Sequence, residues 1–388
     1  MPNVNPDVLS WARQTAGLSP DDAVKKLQLR DARGVAAVDR LAALETGSDH
    51  PTRPMLAKMA RAYRRPLVAL YLDTPPRSVQ RGTDFRTFAG DRSVAQDSLV
   101  QALVRDAVAR QGLVRAQLED EEAGEVEFVG SVALSDGQRA ASDRLETVVN
   151  GTVSKTAGNV RPDFDPMRDA VEGRGVFVLL QGDLGSHHTD IDTDAFRGFA
   201  LADRLAPFIV INDNDARTAW SFTLLHEVVH LLLGETGISG SRGEAETERF
   251  CNDVASEYLV PQSAIDDFSM DHMEFDQLAD AISRIASKWN VSRALIAYRL
   301  HRSNRIDVYS YQRLAEMFRR RWLRDRHRKA LDEGGPSYYT VRRHRAGKAL
   351  LNLVRRGLGE GSLSTTKAAI VLGVKPTNVG PMLGMKKA

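Results

Sequence analysis

The sequence predicts an α+β protein that is mainly helical, with an N-terminal helix-turn-helix-like bundle, a central domain that combines a small sheet with one apolar helix, and a helical C-terminal domain. Three observations favour this class. Apolar residues recur at helical spacing in both terminal parts, runs typical of buried strands occur in the middle, and an apolar stretch of about five helical turns follows them. With 388 residues the chain can form two or three domains, each with its own core.

Residues 1–75 are predicted to form a compact helical unit. A capping serine, Ser19, precedes Pro20 at the first position of one helix, and the segment GVAAVDRLAALETG ends at a glycine. Short helices joined by tight turns indicate a helix-turn-helix fold. The helix expected near Val35–Leu44 offers mainly small apolar residues, which are poor donors and acceptors for reading bases. DNA binding and a structural or dimerising role for this unit therefore both remain open.

Residues 76–160 are predicted to be a linker followed by helices. The first twenty of them are rich in Arg, Gly, Thr and Asp, as linkers are. A long amphipathic helix is expected over residues 98–122, and the segment ALSDGQRAASDRLETVV predicts a second helix.

Residues 161–305 form the predicted central domain. The segment DPMRDAVEGRG predicts a short helix that ends at Gly173, and the runs GVFVLLQG and FRGFALADRLAPFIVIND predict three strands. The helix DARTAWSFTLLHEVVHLLLG follows directly. PFIVIND is our candidate for an exposed strand edge that would pair with the backbone of a peptide substrate.

Two histidines and a glutamate interrupt the apolar stretch LLHEVVHLLLG. His226 and His230 are four residues apart, so both imidazoles project from one face of a helix and can bind one metal ion. Glu227 projects beside them, toward a water on that ion. This HExxH pattern predicts a metal-dependent hydrolase with Glu227 as the catalytic base.

A third metal ligand is expected on the following helix, in the segment GEAETERFCNDVASEYLVP. Zinc at a catalytic site takes three protein ligands and keeps one position open. Helical phase favours Glu248 as the third ligand, and Glu244 is the second candidate. Glu248 lies on the same face as the apolar residues that must pack against the HExxH helix. Asn252 lies one turn further on, where its side chain could form a hydrogen bond with one of the metal-binding side chains without binding the metal itself.

The segments RTAWSFTLLHEVVHLLLG and ETERFCNDVASEYLVP closely resemble the ImmA/IrrE family of metallo-endopeptidases, and the first 75 residues look like an XRE-type domain. The resemblance implies a zincin-like fold, with His226, His230 and Glu248 as metal ligands and Glu227 as base. Many family members carry glycine where this chain has Val229. The resemblance is strong over residues 165–300 and looser beyond them.

The resemblance also implies cofactors and partners. Zn²⁺ is the expected metal, with Mn²⁺ as an alternative, and the expected substrate is a specific regulatory protein such as a transcriptional repressor, cleaved under stress or in the control of mobile elements. The alternative function is a DNA-binding regulator, or an antitoxin that neutralises a toxin partner and uses the peptidase fold as a scaffold.

Several other residues have more than one interpretation. Tyr258, His187, His188 and Arg217 are candidate donors to an oxyanion, and nothing in the sequence selects one of them. The two histidines can alternatively hold a second ion or belong to a solvated loop. Cys251 is a metal ligand, a redox sensor or, more simply, a small buried apolar residue.

Residues 306–388 are predicted to be a basic helical domain. Between Arg313 and Lys348 there are twelve Lys or Arg and four acidic residues, a local charge of about +8 in a chain of net charge +2. Such a segment can bind nucleic acid or an acidic partner, although a solvated helix face explains it equally well. The single cysteine and the absence of a signal-like N-terminus or a long apolar run predict a cytoplasmic protein without a membrane partner.

Overall fold

The computed structural model describes residues 4–32, 34–76, 94–149, 163–185, 189–238, 245–268, 273–329 and 337–385. The N-terminal elements are α1 (Pro6–Gln14), α2 (Pro20–Leu27), α3 (Ala37–Thr46), α4 (Arg53–Ala62) and a 3₁₀ turn at Leu67–Tyr71. The central elements are α5 (Val94–Asp120), α6 (Gly137–Val149), α7 (Phe164–Gly173), β1 (Phe177–Leu180), β2 (Gly198–Leu201), β3 (Phe208–Ile211), α8 (Arg217–Leu233), β4 (Gly237–Ile238) and α9 (Ala245–Leu259). The remaining helices are α10 (Gln262–Asp266), α11 (Phe275–Trp289), α12 (Arg293–Arg302), α13 (Val308–Lys329), α14 (Tyr338–Ala346), α15 (Lys348–Gly359), α16 (Thr365–Leu372) and α17 (Val379–Met382).

The first four helices pack around a core of their own, in which Leu41, Leu56 and Tyr63 are almost fully buried. The hydroxyl of Ser19 accepts a hydrogen bond from the N–H of Asp22 and caps α2, as the sequence predicts. Residues 4–32 and 34–71 thus contain four short helices with a common core. The assignment of this unit as an XRE-type domain, like the limits of the four predicted segments, stays a prediction.

The sheet is small and lies in the middle of a mainly helical chain, so the α+β class is confirmed. Its strand order is β1-β3-β2-β4; β3 pairs parallel to β1 and antiparallel to β2, and the two-residue strand β4 extends the sheet beside β2. The expectation that PFIVIND supplies an exposed strand edge is wrong. β3 lies in this segment and is hydrogen-bonded on both sides, to β1 and to β2, so the edges of the sheet are β1 and β4.

Helices cover both faces of the sheet. Val178 and Leu180 of β1 point into a core formed mainly by α6 to α9 and α11 to α13, whereas Phe177 and Leu179 point into a second core formed by α5 and α14 to α17. The alternation of side chains along each strand thus divides the apolar residues between two layers. Strands buried on both faces read as continuous apolar runs, which is why no polar alternation marks them in the sequence. No helix within the described ranges is long and apolar enough to cross a membrane.

A buried ion pair on α7 fixes the junction between α14 and α15. The Arg168 Nε lies 3.1 Å from the Glu172 Oε1, and both side chains are about 5% exposed. The Glu172 Oε2 accepts hydrogen bonds from the backbone N–H groups of Lys348 and Ala349 at 2.8 and 3.0 Å, at the start of α15. Arg168 also donates to the carbonyl of Val178 in β1. One buried pair therefore joins α7, the sheet and the C-terminal helices.

We expect Gly347→Ala to lower the free energy of unfolding by about 2 kcal/mol or more. Gly347 has φ 80° and ψ 160°, a conformation almost restricted to glycine. A Cβ there would lie 2.1 Å from the Glu172 Oε1. Urea denaturation measures the change. The control is Gly359→Ala at the end of α15, where nothing lies within 4 Å of an added Cβ; equal destabilisation by both variants would contradict the role of this junction.

Candidate metal centre and active site

The HExxH segment lies in the second half of α8, which is buried on almost every side. All residues from Thr223 to Leu232 are buried, against the sheet on one side and against α6, α7 and α9 on the others. The helix ends at Gly234, whose φ of 73° suits the left-handed C-cap and whose N–H bonds to the carbonyls of His230 and Leu231. The apolar residues around the two histidines therefore hold α8 in the core.

Three side chains from two helices converge on one point. The Nε2 atoms of His226 and His230 are 3.1 Å apart. The two carboxylate oxygens of Glu248, from α9, lie 3.3 Å from the Nε2 of His226 and 3.3 Å from the Nε2 of His230. Within the described ranges these are the one group of His, Cys, Asp and Glu atoms with the spacing of a metal site.

The geometry of this group fits a tetrahedral metal ion. Ligand atoms at the roughly 2.0–2.1 Å typical of zinc lie about 3.3 Å from one another in a tetrahedron, close to the observed separations. The Nδ1 atoms of both rings are buried, and that of His230 lies 3.8 Å from the Glu235 carboxylate. Both rings present Nε2 to the common point. The chemistry of the donor set, two imidazoles and one carboxylate, is that of a catalytic zinc site with one open position.

The electrostatics of the group also favour a cation. Burial alone would raise the pKa of Glu248, but hydrogen bonds from His226 and His230 lower it to about 2. Burial alone would lower the pKa of His230, but its hydrogen bonds with Cys251, Glu235 and Glu248 raise it well above the usual value. Both shifts favour positive charge at the common point, where a metal ion would take the place of a proton.

Glu227 is fully buried between α8 and the start of β2. It does not belong to the three-residue group, although it follows His226 directly in sequence. The backbone of Gly198 packs against it so closely that a Cβ on this glycine would lie 2.8 Å from the Glu227 Oε1 and 2.6 Å from the Thr223 Cγ2. Sequence reasoning missed Gly198. The signal was present, since a glycine inside a strand often marks a close approach of backbone to a neighbour.

We expect Gly198→Ala to reduce hydrolysis about 10- to 100-fold without loss of the metal, because the added methyl group displaces the carboxylate of Glu227 but touches no ligand. Steady-state kinetics and metal analysis of the same preparation measure both effects. Thr223→Ser removes the methyl group that the new Cβ would meet first, so the double variant should recover part of the activity, with Thr223→Ser alone as control. Loss of metal from Gly198→Ala would contradict this explanation.

The other residues singled out in the sequence lie around this group or away from it. Asn252 is half-buried on α9, one turn after Glu248, and its contact with a ligand stays a prediction. Glu244 lies outside the described residues. Cys251 is buried and hydrogen-bonded to His230; burial raises the pKa of its thiol, so the thiol stays protonated at neutral pH. Its sulfur is not part of the group with metal-site spacing.

Two of the candidate oxyanion donors have other partners. The hydroxyl of Tyr258 bonds to Glu146 of α6, and burial together with this carboxylate raises the pKa of the phenol. Arg217 lies at the start of α8, where its guanidinium is 2.8 Å from the Asp165 carboxylate. An oxyanion role for either side chain stays a prediction. His187 and His188 lie outside the described residues.

The central part of the chain matches a known protein family. No curated protein and no solved structure matches the chain significantly. The matched segment begins at the last residue of β1 and ends near the end of α12, so it contains β2 to β4, the HExxH helix and Glu248. Residues 180–301 match the family model described as the IrrE N-terminal-like domain, and this part of the chain is therefore similar to a metallopeptidase domain of the ImmA/IrrE family.

Proposed function

We propose that this protein is a zinc-dependent endopeptidase. The observation that carries the proposal is the convergence of His226, His230 and Glu248 within 4.8 Å of one another, next to the buried carboxylate of Glu227. The match of residues 180–301 to a metallopeptidase domain supports the same reaction class. Imidazole donors suit zinc better than manganese, which prefers oxygen donors, so Zn²⁺ is the proposed metal and Mn²⁺ the alternative.

Different residues would bind the metal and transfer the proton in peptide hydrolysis. A zinc ion, when bound, would supply a Lewis acid that polarises a peptide carbonyl and lowers the pKa of water. His226, His230 and Glu248 would hold it. Glu227 would accept the proton of the attacking water and deliver it to the leaving amine, a task that suits a carboxylate held in one position by Gly198 and Thr223.

The burial of the site favours a selective enzyme. The His226 and His230 side chains are each 4% exposed and that of Glu248 is 22% exposed. A substrate would therefore reach the metal centre more easily from the side of Glu248. We propose that the substrate is a specific regulatory protein in the cytoplasm, such as a transcriptional repressor. The family resemblance supports this substrate class, and a reducing compartment accords with the single buried cysteine.

Incubation of the purified chain with a repressor encoded beside it tests the proposal. Mass spectrometry should detect one or a few cut sites, which should disappear with a chelator and return with added Zn²⁺. Cleavage that persists with the chelator present would exclude the proposed mechanism.

The alternative function is a DNA-binding regulator or an antitoxin that binds a toxin partner. The observation that favours it is the set of arginines on α13, among which Arg320 and Arg324 are exposed. A salt-dependent shift of promoter DNA that survives Glu227→Gln would support this alternative. A stable complex with a toxin encoded beside it, formed equally well by that variant, would support the antitoxin role.

A further inference from the structure

The helices α2 and α4 end at a shared cavity of about 450 Å³, here called the α2/α4 pocket. It is lined by Lys26, Leu27, Gln28, Lys58, Arg61, Ala62 and Arg64. A volume of this size lies within the range of small-molecule sites. The pocket belongs to the N-terminal unit and has no residue in common with the metal centre.

The lining of the pocket is strongly positive. Lys26, Lys58, Arg61 and Arg64 contribute four charges, and no described lining residue is acidic. Basic residues are common at helix C-termini, because each end carries about half a negative charge. Two helix ends offset only about one of the four charges, so a net charge of about +3 remains. Compensation of the helix dipoles therefore does not account for the pocket.

One carboxylate, that of Asp22, lies near enough to act on Lys26. Within the described ranges, none of the four cations forms an ion pair with a carboxylate; Asp22, whose field acts on Lys26, is itself bonded to the Ser19 hydroxyl at 2.6 Å. Burial lowers the pKa of Lys26 and that of Arg64, and Arg64 lowers the pKa of Lys26 further. Each effect disfavours the charged form, and an anion bound in the pocket would offset it.

Further arginines extend the positive charge beyond the lining. Arg64 and the neighbouring Arg65 lie near Arg105 of α5; burial and then these two charges lower the pKa of Arg105 to about 10. Arg64 itself has φ 51°, in the left-handed region where a glycine or asparagine is usual after a helix. The chain thus keeps an arginine at a conformationally unfavourable position beside the pocket, a pattern typical of functional sites.

The shape of the lining indicates the class of anion. Four cations line one cavity rather than an extended groove, which favours a compact multivalent anion over a nucleic-acid backbone. No aromatic ring lines the pocket for stacking on a base. Lysine and arginine together are the side chains that bind phosphate groups. We propose that the α2/α4 pocket binds a compact polyphosphate anion, either inorganic pyrophosphate or the phosphate chain of a nucleotide.

Calorimetric titration of the full chain at constant ionic strength tests this proposal, with pyrophosphate, ATP and adenosine as probes. Pyrophosphate and ATP should bind, and adenosine should not. Lys26→Gln/Lys58→Gln should raise the Kd for pyrophosphate at least about tenfold. The matched control is Lys25→Gln/Arg53→Gln, which removes the same charge from the same two helices at positions outside the pocket that are exposed like Lys26 and Lys58; its Kd should change less than about twofold.

Four results would overturn the proposal. If the two double variants weakened pyrophosphate binding equally, the effect would be one of general charge. If neither pyrophosphate nor ATP bound to the parent chain, the pocket would not be an anion site. Duplex DNA that binds through Lys26 and Lys58 while pyrophosphate does not would assign the pocket to nucleic acid instead. Circular dichroism of each variant verifies that α2 and α4 are retained, and ATP binding without pyrophosphate binding would also contradict the proposed recognition of phosphate groups alone.

Discussion

Replacing Glu227 with glutamine is expected to lower the rate of peptide hydrolysis at least about 100-fold, because general acid–base catalysis commonly contributes 10²–10⁴-fold. The amide has nearly the shape of the carboxylate but cannot accept the proton of the attacking water. Glu227 is fully buried and is not one of the three converging donors, so the variant should fold and bind metal like the parent. Hydrolysis of the identified substrate and the metal content of the same preparation measure the two effects.

The control for this variant is Glu246→Gln, which changes an exposed glutamate of α9 and should leave both quantities unchanged. Parent-like hydrolysis by Glu227→Gln would assign the base to another residue. Loss of metal from this variant would instead place Glu227 among the ligands.

Replacing Glu248 with glutamine is expected to have the largest effect on metal binding. The carboxylate of Glu248 spans the two histidine Nε2 atoms with distances of 3.3 Å to each, and it is the one negative charge in the group. Loss of an outer hydrogen-bond partner of a ligand already costs about 10–100-fold in metal affinity, so loss of a ligand should cost more than about 100-fold. Competition with a zinc-binding dye measures the affinity without reference to activity.

Two neighbouring glutamates make this experiment specific. Glu246→Gln again serves as the control, because it removes the same charge from the same helix at an exposed position. Glu244→Gln tests the reserve ligand that the sequence suggested. If Glu244→Gln abolished metal binding and Glu248→Gln did not, the assignment of the third ligand would be wrong.

The local features of the metal centre could be predicted because they depend on short-range spacing. An interval of four residues places His226 and His230 on one face of any regular helix. The apolar residues around them indicate that the helix is buried, and Gly234 marks its end. The same reasoning located the three main strands and α5 to α8, since period and capping residues are local properties.

Features that depend on contacts between distant segments could not be predicted in this way. PFIVIND lies inside the sheet because β3 inserts between β1 and β2, which are both earlier in the chain. The partner of Tyr258 is a carboxylate more than a hundred residues earlier in the chain. Gly347 is constrained by an ion pair on α7, far from it in sequence.

By itself the sequence determined that α8 is a buried helix carrying two histidines and a glutamate. It also limited the third metal ligand to a few candidates on the next helix. Only the tertiary structure brought Glu248 to within 3.3 Å of both histidines and placed Gly198 against Glu227. It also gathered around the α2/α4 pocket four cations that form no ion pair with the described residues. The physical reason is that helical periodicity fixes the direction of a side chain on its own element, whereas a site needs the packing of separate elements to bring its side chains within contact distance.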